Sequence, residues 1–297
     1  MKFQKLALIG CGLMGGSFAL ALKKAGLVHQ VMGYSASEGT RQKALALGVI
    51  DTIAHSAAGA VQEADLVLVA VPVSATQATF AAIAPVLSPQ ALMMDVGSTK
   101  CDVVAAAEAS LGERLPCFVP AHPIAGKEVA GVEHADAHLY QNRQLILTPL
   151  PCNGLRKITH AHQVWEALGS QVITLSPEEH DATFAAVSHL PHLVAFALMN
   201  ALAQQPHGAD RLSMAGPGFR DFSRIAASDP TVWRDILLAN RTQVLHQSAL
   251  LRHALDQLEA AMTQGDSSAL EQLIAQASQT RAEWRLGGLD PNLVSQP

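Results

Sequence analysis

The segment Leu6-Ala7-Leu8-Ile9-Gly10-Cys11-Gly12-Leu13-Met14-Gly15-Gly16-Ser17 constrains this chain more than any other. The apolar run reads as a buried parallel strand. The glycines follow at G-x-G-x-x-G spacing, and Phe18 to Ala25 reads as a helix with Lys23 and Lys24 near its end and Gly26 as a stop. Each glycine meets its own steric demand. Gly10 permits a tight turn, Gly12 lets the backbone approach a pyrophosphate, and Gly15 lets helix and strand pack closely. The helix N-terminus then offers free N–H groups and a positive dipole end to phosphates. Gly10, Gly12, Leu13, Met14 and Gly15 are therefore candidate cofactor-binding residues. A rival reading takes Met1–Lys5 and the apolar run as a signal peptide, with Leu8-Ile9-Gly10-Cys11 similar to a lipoprotein cleavage box. Cleavage there would destroy a fingerprint that the rest of the chain supports. Uncleaved, the run is too interrupted by glycine and lysine to span a bilayer.

A length of 297 residues suits one large domain or two ordinary ones. Hydrophobic residues make up 49% and aromatics only 4%, so an aliphatic, alanine-rich core is expected. The net charge of −5, with no basic block, argues against nucleic acid as a partner. No membrane association is expected either. Cys11, Cys101, Cys117 and Cys152 show no C-x-x-C spacing, which fits reduced thiols and a cytoplasmic location. Glu133-His134 with His138, and His160 with His162, mimic metal ligands but lack a third at convincing spacing, so no metal is expected.

Short apolar strands alternate with helices through the first half. Strands are predicted at Leu6–Ile9, Val28–Gly33, Leu66–Ala70, Leu92–Asp95, Cys117–Val119, Leu145–Thr148 and Val172–Leu175, and helices at Ser74–Ala84, Lys100–Ala109 and Leu155–Leu168. This is the pattern of βαβ units and a mostly parallel sheet. After Ser176-Pro177 only helices are predicted: Pro177–Ala203, Phe219–Ala226, Pro230–Ala239, Arg241–Gln264 and Ser267–Arg285. The expected fold is an α/β Rossmann domain over residues 1–176, followed by an all-α domain over 177–297. Leu245, Leu250, Leu251, Leu255 and Leu258 form a stripe that suits either an ordinary core or, preferably, a dimer interface.

An NAD site places an acid about 20 residues beyond the last glycine, on the ribose hydroxyl. Counting from Gly15 reaches Tyr34-Ser35, where the acid is missing. Ser35 and Ser37 can donate to a 2′-phosphate and Arg41 can reach it with charge, so NADP is favoured. NAD stays open because Glu38 can swing in. Val71 and Pro72 end another central strand, where a cofactor would lie.

Three further segments put polar residues at element ends. Asp95-Val96-Gly97-Ser98-Thr99-Lys100 ends a strand, and its hydroxyls can cap the next helix. Pro120-Ala121-His122-Pro123 to Glu128 places His122 near the sheet's carboxyl edge, where a neutral imidazole can take a proton from a substrate hydroxyl. A buried structural histidine fits the same position. Ser188-His189-Leu190-Pro191-His192 and Gly218 to Trp233 lie in the helical half. Of Arg220 and Arg224, one is expected to bind a carboxylate and the other to pair with Asp221 or Asp229.

Gly10–Ser17, Asp95–Lys100, Ala121–Glu128, Ser188–His192 and Gly218–Trp233 together resemble, in order, the prephenate and arogenate dehydrogenase family of tyrosine biosynthesis. The resemblance implies a Rossmann domain with a helical dimerisation domain, and hence a homodimer. It implies oxidative decarboxylation of a cyclohexadienol, with hydride passing to nicotinamide and aromatisation driving loss of carbon dioxide. By motif, His122 resembles the catalytic histidine, Ser98 a serine that orients it and the hydroxyl, and Ser188 a second serine nearby. His192 and Arg224 resemble substrate-binding residues, Arg224 on a carboxylate. Ser228 and Trp233 line or support that pocket, and Glu128 resembles an acid at the entrance. Lys127 is placed near the substrate side chain, whose keto-acid or amino-acid identity stays open. No chorismate mutase or regulatory domain is expected on this chain, so any tyrosine feedback would act at the active site. Two alternatives remain: another two-domain hydroxy-acid or imine reductase, and a non-catalytic dinucleotide-binding regulator.

Overall fold

The computed structural model describes residues 2–127 and 129–285. Its first half is built on β1 (Phe3–Ile9), β2 (Val28–Tyr34), β3 (Thr52–Ile53), β4 (Leu66–Val69) and β5 (Leu92–Asp95), in the order β3-β2-β1-β4-β5 and all parallel. The helices α1 (Leu13–Lys24), α2 (Glu38–Ala46), α3 (Ala57–Val61), α4 (Thr76–Ile83) and α5 (Cys101–Leu111) make the crossovers. β6 (Ala121–Pro123), β7 (Gln144–Leu147) and β8 (Gln171–Thr174) form a second sheet, with β6 antiparallel to β7 and α6 (Leu155–Ala167) between β7 and β8. A single bridge from Met93 to Phe118 joins the two sheets.

The strand expected at Cys117–Val119 is displaced. Residues Gly112–Cys117 wind into a 3₁₀ turn containing Pro116, Phe118 makes only an isolated bridge to Met93, and the ladder of β6 begins after Pro120. Neither proline has an N–H to donate to a ladder. β3, α3 and the later short helix Gly208–Ser213 escaped prediction because elements of two to six residues carry too little periodicity.

Five of the aromatic residues sit at the centre of the sheet half. Phe18, Tyr140, Trp165, Phe80 and Phe118 are all fully buried against an otherwise aliphatic core. Tyr140 also donates its hydroxyl to the Met14 carbonyl at 2.7 Å, which anchors the start of α1.

The second half is helical: α7 (Pro177–Phe184), α8 (Leu190–Ala203), α9 (Gly208–Ser213), α10 (Pro217–Ser223), α11 (Pro230–Ala239), α12 (Arg241–Gln264) and α13 (Ser267–Glu283). A capping box between Ser176 and Glu179 starts α7, with Pro177 in the first turn. α7 and α8 are one run interrupted by a π turn over Ala185–His189. By length and composition alone this 27-residue run could cross a membrane, its most apolar 18-residue window having mean hydropathy 1.5. It nevertheless carries buried His180, Asp181 and His189, and Asp181 bonds to the sheet half. Leu245, Leu250, Leu251 and Leu255 are exposed on the single chain, which removes the reading of their stripe as an intrachain core.

Candidate active site

A cleft of about 450 Å³ opens at the carboxyl edge of the first sheet, with the helical half across it. Gly12, Leu13, Met14, Val71, Pro72 and Ser98 line one side, and Ser228 and Trp233 the other. The fingerprint glycines explain the near wall. Gly10 holds φ +97°, and a Cβ there would lie 2.1 Å from the Ala70 carbonyl oxygen. A Cβ on Gly15 would lie 2.1 Å from the Gly10 carbonyl oxygen. A Cβ on Gly12, by contrast, would meet nothing within 4 Å. Gly12 is the N-cap of α1 and supplies no side chain to cap it. The first N–H groups of this 12-residue helix thus lack a side-chain cap beside open space at Gly12, which fits the pyrophosphate of a dinucleotide.

At the end of β2, the Arg41 guanidinium lies over the Tyr34 ring, 5.7 Å from its centroid, and donates to the Ser35 carbonyl. Ser37 caps α2, accepting from the Thr40 N–H at 3.2 Å. Ser35, Ser37 and Arg41 are thereby gathered at one strand end, and Glu38 is the exposed first residue of α2.

Beyond β5 the chain folds around a buried ion pair. Lys100 Nζ lies 2.5 Å from Asp95 Oδ2, and both side chains are almost fully buried. Lys100 also donates to the Ala121 carbonyl at 2.8 Å, while Asp95 accepts from the N–H groups of Ala121 at 2.9 Å and Gly97 at 2.8 Å. Both backbone groups of the residue before His122 are therefore held by one ion pair.

His122 lies in β6, opposite Ile146. Its Nδ1 is 2.8 Å from His180 Nε2, and His180 Nδ1 is 2.8 Å from Asp181 Oδ1. Phe184 packs edge-on against the His122 ring at 5.0 Å. Burial first, then the neighbouring His180 and Lys100, hold the His122 pKa well below the ordinary histidine value. The imidazole is neutral at physiological pH and able to accept a proton.

The π turn places Ser188 half-buried and His189 buried. Such turns bulge a helix and often accompany functional positions. His192 Nδ1 lies 2.9 Å from the Ser188 carbonyl oxygen, so it donates there. The His192 ring stacks on Trp233 at 3.5 Å between centroids, which links it to the cleft wall. Exposed Arg224 begins a 3₁₀ turn, Arg224–Ala227, just before Ser228. Arg220 Nε pairs with exposed Asp221 at 3.1 Å, and Asp229 caps α11 through the Thr231 and Val232 N–H groups. Lys127 lines the cleft and bonds to Asp136 at 3.3 Å. Glu128 lies outside the described residues. Among the described residues, no three His, Cys, Asp or Glu side chains converge as metal ligands would.

His180 and Asp181 are polar residues beside His122 that sequence reasoning did not single out, whereas Asp95 and Lys100 stood inside a motif without a role of their own. The only local hint was a His-Asp pair in the first helix after the capping box, and its partners lie far away in the chain.

A Rossmann half with an open dinucleotide cradle, facing a helical half across a cleft, with a buried neutral histidine packed between the two halves, defines a two-domain nicotinamide-dependent dehydrogenase. Residues 18–174 match the family model described as prephenate dehydrogenase, nucleotide-binding domain, and residues 176–276 match prephenate dehydrogenase, dimerization domain. The chain belongs to the prephenate dehydrogenase family. It is 36% identical over 245 residues to the cyclohexadienyl dehydrogenase of Zymomonas mobilis, covering 82% of this chain and 83% of that one. It is 36% identical over 271 residues to the prephenate dehydrogenase of Bacillus subtilis, covering 89% and 72%. The solved structure of A. aeolicus prephenate dehydrogenase, in complex with hydroxyphenyl propionate and NAD+, superposes with a TM-score of 0.89 at 35% identity and covers 95% and 99%.

Proposed function

We propose that this protein oxidatively decarboxylates prephenate, arogenate or both, giving 4-hydroxyphenylpyruvate or tyrosine. The observation that carries this reading is His122, a buried neutral imidazole at the junction of the two matched halves. The nicotinamide, when bound, supplies the hydride acceptor. His122 takes the proton of the ring hydroxyl as hydride leaves the same carbon, and the ring carboxylate departs as carbon dioxide. Ser98 and Ser188 orient the hydroxyl and His122. His192 and Arg224 bind substrate, Arg224 through a carboxylate, with Ser228 and Trp233 supporting that pocket and Glu128 acting at its entrance. Gly10, Gly12, Leu13, Met14, Gly15, Val71 and Pro72 hold the cofactor.

NADP is the proposed cofactor. Ser35, Ser37 and Arg41 meet at the end of β2, where an NAD enzyme would present an acid. The helical half, taken as starting at 177, carries exposed leucines that a second copy would cover, so we assign a homodimer. The protein is proposed to act in the cytoplasm.

The test is reduced-nicotinamide absorbance with prephenate or arogenate, each with NAD or NADP. Turnover in any combination supports the reading, and the ratios give both specificities. Absence of turnover in all four, with cofactor still bound, would shift weight to a reductase or a regulator.

A further inference from the structure

We propose that His180 and Asp181 set the tautomer of His122, so that its Nε2 is the proton-accepting nitrogen. This rests on the proton-acceptor role assigned to His122 above. Asp181 is a buried carboxylate on α7 that reaches across to the sheet half. Its Oδ1 accepts the Lys100 N–H at 2.8 Å and its Oδ2 accepts the Cys101 N–H at 2.9 Å. These N–H groups begin α5, and a backbone N–H can only donate. Asp181 is thus bound as an acceptor on both oxygens.

His180 Nδ1, 2.8 Å from Oδ1, must then carry the proton of that contact. A neutral imidazole protonated at Nδ1 has its lone pair at Nε2. That nitrogen lies 2.8 Å from His122 Nδ1, so His122 must donate there. The proton of neutral His122 is placed on Nδ1 and its Nε2 is left as an acceptor. The alternative, His180 protonated on both nitrogens, would bury a cation close to the Lys100 ammonium. Burial acts against that form, and the His180 pKa lies below the ordinary value. A carboxylate thus fixes the orientation and tautomer of a base, as in hydrolytic triads, with one more imidazole between them. His180 and Asp181 are positioning residues. They come from α7, whereas His122 is on β6, so the tautomer depends on the docking of the two halves.

The test has two arms. In the first, protein labelled with ¹⁵N-histidine is studied by NMR near neutral pH, with ring signals assigned by loss in His122→Asn and His180→Asn. Protonated Nδ1 and unprotonated Nε2 on both rings are expected. A proton on His122 Nε2 would overturn the proposal. This arm reads the tautomer whether or not the enzyme turns over, so its failure is distinct from failure of the proposed reaction. In the second arm, His180→Phe keeps the ring volume but removes the acceptor. It is expected to lower kcat about 10²-fold with KM little changed. His180→Gln, whose side-chain oxygen can accept at the Nε2 position, should recover most of that loss. Unchanged kcat in folded His180→Phe would overturn the proposal, as would equal losses in the Phe and Gln variants. Should the Phe variant not fold, the labelled parent and the Gln variant still decide the matter.

Discussion

Acid should destabilise this fold, and His189 allows the effect to be worked out. Its pKa is lowered from 6.5 to about 4, chiefly by burial. Its surroundings oppose a second ring proton directly. Asn240 Nδ2 lies 3.2 Å from His189 Nδ1 and also donates to the Asp181 carbonyl at 2.7 Å, so Nδ1 faces a donor. The sign follows from the depressed pKa. Above 6.5 the ring is neutral whether the chain is folded or unfolded. Below 6.5 the unfolded chain takes the proton first, so stability falls until the pH nears 4. The shift from 6.5 to about 4 removes about 2 kcal/mol by pH 5 and about 3 kcal/mol by pH 4. His122 and His180 act in the same direction. Urea unfolding at one protein concentration, followed by tryptophan fluorescence from about pH 7.5 to about pH 5, should compare the parent with His189→Gln. Lost packing shifts the variant by an amount independent of pH, and the other histidines cancel in the difference. The stability advantage of the parent should shrink by about 2 kcal/mol across that range. Parallel curves would refute the burial argument.

Lys100→Met should cost about 3–5 kcal/mol, since it leaves a buried carboxylate unpaired and the Ala121 carbonyl without its Lys100 donor. A double-mutant cycle with Asp95→Asn, read by denaturant midpoint, should show the double variant losing less than the sum; additive losses would deny the coupling. His122→Asn should lower kcat about 10²–10⁴-fold with little change in KM, whereas Arg224→Ala should mainly raise KM; steady-state kinetics would expose a swapped pattern. Arg41→Ala should weaken NADP about tenfold relative to NAD, measured as the ratio of kcat/KM values. An unchanged ratio would detach Arg41 from the 2′-phosphate.

Much of the fold was legible because its signals are local. The glycine spacing and the apolar run of β1 each act within a few residues, so they read correctly from sequence, whereas the caps of α7 and α11 came from the structure. The helices at 230–239 and 241–264 fall where periodicity placed them. The strand near Cys117 moved because Pro116 and Pro120 outweighed its apolar character. The leucine stripe announced an apolar face, but only the folded chain showed that α12 leaves it uncovered.

The site divides along the same line. His122, Ser98 and the nucleotide loop stand out in the sequence because their motifs are short and lie at element ends. The residues that hold His122 do not. His180 reaches it across 58 residues, and Asp181 caps α5 across 81. Sequence by itself determined the dinucleotide cradle, the helical second half and the candidate base. Tertiary structure alone decided which nitrogen of that base carries the proton. A backbone cradle depends on glycine spacing within one turn, whereas a tautomer depends on which donor or acceptor the other half of the molecule presents.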